Sequence, residues 1–145
     1  MAKILLVNGP NLNLLGQREP EIYGSTTLVQ IENRVKELVS AESHNIECFQ
    51  SNQEGAIIDW LQSRTDADFI LINAASLTHT SVALRDTLSF LSKPFIEIHI
   101  SNVHKREQFR HHSYLSDLAV AVITGLGAYG YESAARYAIE HLKGI

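Results

Sequence analysis

Ile4-Leu5-Leu6-Val7-Asn8-Gly9-Pro10-Asn11 is a short apolar run that stops abruptly at turn-forming residues, the pattern of a strand buried on both faces. Phe69-Ile70-Leu71-Ile72, Phe95-Ile96-Glu97-Ile98-His99-Ile100 and Ala119-Val120-Ala121-Val122-Ile123 read the same way, being rich in β-branched residues and bounded by turns. Ile46-Glu47-Cys48-Phe49-Gln50 alternates and predicts a fifth strand with one face less buried. Helical stripes separate the strands. Leu28, Ile31, Val35, Leu38 and Val39 share one helix face, opened by a capping box from Thr27 and Gln30. A second box, Ser51 with Glu54, is expected to open the helix of Ile57, Ile58 and Leu61. Leu84, Leu88 and Leu91 stripe a helix that must stop before Pro94, and Tyr131, Ala134, Ala135, Ala138 and Leu142 stripe a last one ending at Gly144.

Strand and helix thus alternate over residues 1–145 without repeat, linker or shift in composition, which predicts a single domain of three-layer α/β architecture. Right-handed crossovers then favour a five-stranded parallel sheet, doubly wound in the flavodoxin-like order 2-1-3-4-5. Ligands of such sheets sit beyond the carboxyl ends of the strands, where the winding reverses between the first and third. That rule selects Asn8–Asn11, Asn73–Ala75 and His99–Asn102 before any motif does.

The 145 residues are 45% apolar and 19% charged, enough for one packed core and far from a disordered composition. No apolar run approaches the roughly 18 residues of a membrane span, and the run at Ile4–Val7 is too short for a signal-peptide core. The one cysteine, Cys48, suits a reducing compartment, so a cytoplasmic protein is expected. A net charge of −4 argues against nucleic acid as a partner, yet the charge is uneven. Residues 1–98 carry 7 basic and 12 acidic side chains, whereas residues 99–112 carry Lys105, Arg106 and Arg110 against Glu107 alone, with four of the seven histidines. One cationic patch on an acidic domain reads as the site of a small anion.

His99 follows Glu97 by two residues on a strand, so both side chains point to one face. A carboxylate beside an imidazole fixes its tautomer and favours the protonated ring, the requirement for a proton donor near neutral pH. The plainer alternative is a core histidine satisfied by a core glutamate. Leu14–Ser25 lacks apolar periodicity and predicts a surface loop placed to close as a lid. Within it lies Tyr23. A phenol that titrates near 10 is ionised only about one part in a thousand at pH 7, and making it a base takes about 4 kcal/mol of phenolate stabilisation. Two arginines in a partly dry site supply that, and Arg18 and Arg106 are the candidates; otherwise Tyr23 simply packs the loop down. Asn11 and Asn73 are each placed to donate an amide N–H to a substrate oxygen, although asparagine is also an ordinary turn residue. Ser101, with the backbone N–H groups after His99, suits a carboxylate cradle, and Thr78-His79-Thr80-Ser81 offers a helix N-terminus to an anion.

Gly125-Leu126-Gly127-Ala128-Tyr129-Gly130 matches G-x-G-x-x-G, but no strand with an acidic residue follows to hold a ribose, so close helix-to-strand packing is the better reading. His99, His104, His111 and His112 match no metal-binding spacing, so no metal site is expected. The rival to an enzyme is a non-enzymatic flavodoxin-like module, a nucleotide binder or a phosphoryl-accepting receiver. A receiver wants aspartate where this chain has Asn73, and a nucleotide binder wants a phosphate loop that is lacking.

Several blocks together are more specific than any of these motifs: Asn8-Gly9-Pro10-Asn11-Leu12-Asn13-Leu14-Leu15-Gly16, Arg18-Glu19-Pro20 through Tyr23-Gly24, Leu77 through Asp86, Glu97 through Val103, and Arg110 through Ser116. In order and spacing they resemble the type II 3-dehydroquinate dehydratases from end to end, departing only at Asn73-Ala74-Ala75-Ser76, where other members often carry proline or glycine. The resemblance implies a lyase, specifically a hydro-lyase, that removes water anti from 3-dehydroquinate through an enolate to give 3-dehydroshikimate. That reaction belongs to the shikimate pathway of aromatic amino acid biosynthesis, and no cofactor is implied. It also implies Tyr23 as base, held as tyrosinate by Arg18 and Arg106. His99 would protonate the departing hydroxyl, oriented by Glu97, and Asn11 would stabilise the enolate through a water. Asn73, His79, Ile100, Ser101 and Arg110 would bind substrate. Asp86 would reach a neighbouring subunit's site, in trimers grouped into a dodecamer.

Overall fold

The computed structural model describes residues 1–144. Five strands, β1 (Lys3–Asn8), β2 (Asn45–Gln50), β3 (Phe69–Asn73), β4 (Phe95–His99) and β5 (Ala121–Thr124), form one parallel sheet in the order β2-β1-β3-β4-β5. Helices α2 (Leu28–Ala41) and α5 (Tyr129–Lys143) cover one face, and α3 (Glu54–Gln62) and α4 (Val82–Leu91) the other. The expected three-layer, doubly wound topology is therefore the observed one. Alternation along the strands sorts the core into two halves: Ile4, Leu6, Phe69, Leu71, Ile96 and Ile98 face α2 and α5, whereas Leu5, Val7, Ile70, Ile72 and Phe95 face α3 and α4. Among the described residues no helix is long and apolar enough to cross a membrane.

Local chemistry decides where elements begin. Thr27 and Gln30 form the full reciprocal box, with Thr27 N–H donating to Gln30 Oε1 at 2.9 Å and Gln30 N–H to Thr27 Oγ1 at 3.2 Å. The second expected box does not form. Ser51 Oγ accepts from Gln53 N–H at 3.0 Å, tightening the turn that leaves β2, and Gln53 itself stands at the start of α3. The last strand also differs from expectation, starting two residues later at Ala121, because Leu118 and Ala119 still turn back onto Leu115.

Gly125-Leu126-Gly127-Ala128-Tyr129-Gly130 serves packing. A Cβ on Gly130 would lie 3.1 Å from Ile123 Cγ2, so glycine here lets α5 approach the sheet, while Gly125 and Gly127 turn the chain with φ of 89° and 61°. At the opposite winding, a Cβ on Gly9 would stand 2.4 Å from the carbonyl oxygen of Ala74, so the β1 and β3 ends meet only because residue 9 has no side chain.

Tyr131 of α5 locks these same strand ends from below. Asn73 Nδ2 donates to its hydroxyl at 2.8 Å and the hydroxyl donates to Asn8 Oδ1 at 2.6 Å, all three residues being buried. Phenylalanine at position 131 would leave two buried polar groups unpaired, and unfolding in denaturant is expected to register a loss of about 2–3 kcal/mol at unchanged slope.

Candidate active site

The carboxyl ends of β1, β3 and β4 enclose a cleft of about 660 Å³, open to solvent on one side and bordered by Asn11, Arg18, Tyr23, Asn73, His79, His99, Ser101, Arg106 and Arg110. Ile100 also lines it. The winding rule and the cationic tract thus converge on one place. Its border holds three guanidinium groups and no carboxylate, the electrostatics of an anion site. Of the twelve residues singled out in the sequence, ten line this cleft. Glu97 lies directly behind it. Asp86 does not approach: it is exposed on α4, outside the cleft of its own chain.

The segment expected as a surface loop and lid, Leu14–Ser25, contains one short helix, α1 (Pro20–Tyr23), and follows directly on a single turn at Leu12–Leu14. Proline at the first helical position presets φ, and Gly24, at φ 80°, ends the turn with its N–H on the Pro20 carbonyl. Tyr23 is thereby fixed at the end of α1, packed against the core cluster that holds Ile98 and Tyr131. Arg106 Nη1 donates to the Tyr23 hydroxyl oxygen at 2.9 Å and to Ser101 Oγ at 3.1 Å. Arg18 meets Tyr23 through a different contact. Its guanidinium lies over the Tyr23 ring, 4.9 Å from the centroid, and makes no hydrogen bond to the oxygen. Both placements put positive charge where negative charge on the phenol would be spread.

β4 carries the other half of the site. Glu97 and His99 occupy the face shared with Phe95, and His99 Nε2 donates to Glu97 Oε2 at 2.5 Å. Among the described residues this leaves Nδ1 as the ring nitrogen without a hydrogen-bond partner. Both residues are buried, at 1% and 6% exposure, so the pair persists without solvent competing for it. Burial alone would raise the Glu97 carboxyl, but the donor bonds from His99 and Ser116, the charge of His99 and the donor bond from Ser113 outweigh it and hold the group below the ordinary carboxylate range. His79 stacks beside His99, with ring centroids 6.2 Å apart, and its Nδ1–H donates to the His112 carbonyl at 2.7 Å, leaving Nε2 as an acceptor in the cleft. Burial lowers the basicity of His79, which keeps that acceptor available.

Asparagine contributes on both sides. Asn11 adopts a left-handed conformation, φ 71°, with its N–H bound to Asn52 Oδ1 at 2.9 Å and its side chain making no bond to the turn it starts. Asn73 is partly committed, since Nδ2 serves Tyr131 and Oδ1 accepts from Ala75 N–H at 3.1 Å, so one amide hydrogen remains for a ligand. At the start of α4, where the sequence suggests a helix N-terminus open to an anion, Ser81 Oγ accepts Leu84 N–H at 2.9 Å and so takes up one of the free N–H groups. The residues that support the site from behind, Gln50 and Asn52 at Asn11 and Ser113 and Ser116 at Glu97, were not assigned a role from sequence.

Residues 2–139 match the family described as Dehydroquinase class II. The chain is 59% identical over 140 residues to the 3-dehydroquinate dehydratase of Bordetella avium, spanning 95% of this chain and 97% of that protein. It is 58% identical over 143 residues to catabolic 3-dehydroquinase 2 of Neosartorya fischeri, spanning 98% and 95%. A solved type II dehydroquinase from Butyrivibrio crossotus superposes with a TM-score of 0.91 at 43% identity, covering 96% of this chain and 97% of that one.

Proposed function

Because the chain belongs to the class II dehydroquinase family and is a 3-dehydroquinate dehydratase, we propose that Tyr23 and His99 are the base and the acid of that dehydration. Tyrosinate at Tyr23 removes a proton alpha to the substrate ketone. The electron pair moves onto the carbonyl oxygen, giving an enolate that Asn11 stabilises through a water. The enolate then reforms the ketone and expels the beta hydroxyl, which His99 protonates so that it departs as water, anti to the proton removed. The product is the conjugated enone 3-dehydroshikimate, and the proton held by Tyr23 returns to His99 through solvent.

The observation that carries this reading is the hydrogen bond from Arg106 to the Tyr23 oxygen in the same cleft as the His99–Glu97 pair. Arg106 presents a charged donor to the oxygen that acts as base, and the Glu97 carboxylate at Nε2 orients the ring that acts as acid. Arg110, Ser101, His79, Ile100 and the free hydrogen of Asn73 bind the substrate carboxylate and hydroxyls. Asp86 serves a neighbouring subunit. It lies on the exposed side of α4 with Val82 and Phe90, 51% and 71% exposed, a surface suited to an adjoining copy in trimers grouped into a dodecamer. The lone cysteine fits a cytoplasmic location. Some relatives are named catabolic 3-dehydroquinases and others simply 3-dehydroquinate dehydratases, and one dehydration serves either direction of metabolism.

Mixing protein with 3-dehydroquinate and following the ultraviolet band of the enone tests the activity; a flat trace at neutral pH rejects it. A second expectation concerns the chemistry. Among the described residues that line the cleft there is no lysine, so borohydride added with substrate should leave activity intact. Inactivation with a covalent adduct would establish an imine and overturn the enolate route.

A further inference from the structure

The face of β4 that carries Phe95, Glu97 and His99 is covered near its carboxyl end by residues 113–119, and Leu115, fully buried, pins that segment into the core. The flanking serines point at one atom. Ser116 Oγ donates to Glu97 Oε1 at 2.7 Å and Ser113 Oγ donates to the same oxygen at 3.1 Å, while Oε2 is taken by His99. Ser113 Oγ also accepts the N–H groups of Leu115 and Ser116, at 2.9 and 3.1 Å, which fixes its hydroxyl hydrogen toward the carboxylate. Neither serine lines the substrate cleft. Both border a recess of about 290 Å³ that adjoins it at His99.

From this geometry we infer that Ser113 and Ser116 are positioning residues for the proton donor, acting on the substrate only through Glu97 and His99. The inference rests on His99 being the acid. A carboxylate buried as Glu97 is has two ways to escape its unfavourable charge: accept donors at every lone-pair direction, or take up a proton. The proton nearest to it is the one on His99 Nε2. Two hydroxyl donors on Oε1 make the first outcome cheaper, so the proton stays on the ring and the ring stays aligned. Without them the proton shifts to Glu97, and the state able to donate from Nδ1 becomes the minor one. The other charged or titratable groups around this recess are His79, His104, Arg110 and His111, and none of them hydrogen-bonds to Glu97.

Ser116→Ala, Ser113→Ala and the double variant test this. Ser116→Ala is expected to lower kcat about tenfold and the double variant about 30- to 100-fold, with KM within about twofold. The acid limb of the kcat profile should move to higher pH as Glu97 becomes easier to protonate. Ser116→Thr, which keeps the hydroxyl, should recover most of the rate. Thermal melts show whether Ser113→Ala has disturbed its turn. Ser116→Ala stands independently, because among the described residues its hydroxyl bonds only Glu97. In a His99→Gln background the Ser116→Ala change should cost nothing further. An equal cost in both backgrounds, or wild-type kcat and an unmoved acid limb in the double variant, overturns the inference. If instead His99→Gln alone retains full turnover, the assignment of His99 as the acid is what fails.

Discussion

Tyr23→Phe is expected to lower kcat by about 10³-fold or more while the affinity for a non-reacting analogue of the substrate changes by less than about threefold. The substitution is as close to a single-atom deletion as the site permits. The ring would keep its packing against the core and its place under the Arg18 guanidinium, 4.9 Å away, and Arg106 would keep its bond to Ser101 Oγ. Only the oxygen at 2.9 Å from Arg106 is lost. A loss of this size corresponds to at least about 4 kcal/mol of transition-state stabilisation, more than a packing defect at a half-buried ring produces. The solvent exchange of the hydrogen alpha to the ketone should disappear together with turnover, since both need the base. A variant that still exchanges that hydrogen at the normal rate would move the base elsewhere.

The sequence carried the sheet because β1, β3 and β4 are uninterrupted apolar runs whose ends are marked by asparagine, glycine or histidine, so length and period agreed. It misplaced the start of β5, where apolar content is a poor guide: Val120 and Val122 are each 45% exposed, and Ala119, apolar like the strand that follows, still belongs to the turn onto Leu115. Thr27 and Ser51 show the same limit for caps. Both precede an acidic or amide residue by three positions, yet only Thr27 is free to cap, because the hydroxyl of Ser51 is already used in the turn after β2. At the site, the strand-end rule found Asn11, Asn73, His99 and Ser101 from position alone, and the two-residue spacing found the Glu97–His99 pair. The contacts that make these residues useful were beyond that reading. Arg106 and Tyr23 are 83 residues apart, Tyr131 and Asn8 are 123 apart, and Ser113 and Ser116 meet Glu97 through an irregular segment with no period to detect. The role of Asp86 rests on resemblance alone, which no local pattern replaces.

Replacing His99 should separate the two half-reactions that Tyr23→Phe removes together. With His99→Gln, dehydration is expected to fall by about 10²- to 10⁴-fold, the usual contribution of a general acid, while exchange of the alpha hydrogen with solvent continues. The base and the enolate site are untouched by this change, so the enolate forms and returns to ketone instead of expelling hydroxide, a poor leaving group without a proton. An analogue with fluoride in place of the departing hydroxyl needs no such proton, and the variant should eliminate it at a rate close to that of the native enzyme. Glutamine keeps an amide donor within reach of Glu97, so the carboxylate at 1% exposure retains a partner and the fold is spared an unpaired buried charge. Equal losses on the hydroxyl and fluoride substrates would mean that His99 holds the substrate or shapes the cleft. The departing hydroxyl would then have to take its proton from solvent admitted to the open side of the cleft, since the His79 Nε2 beside it is an acceptor.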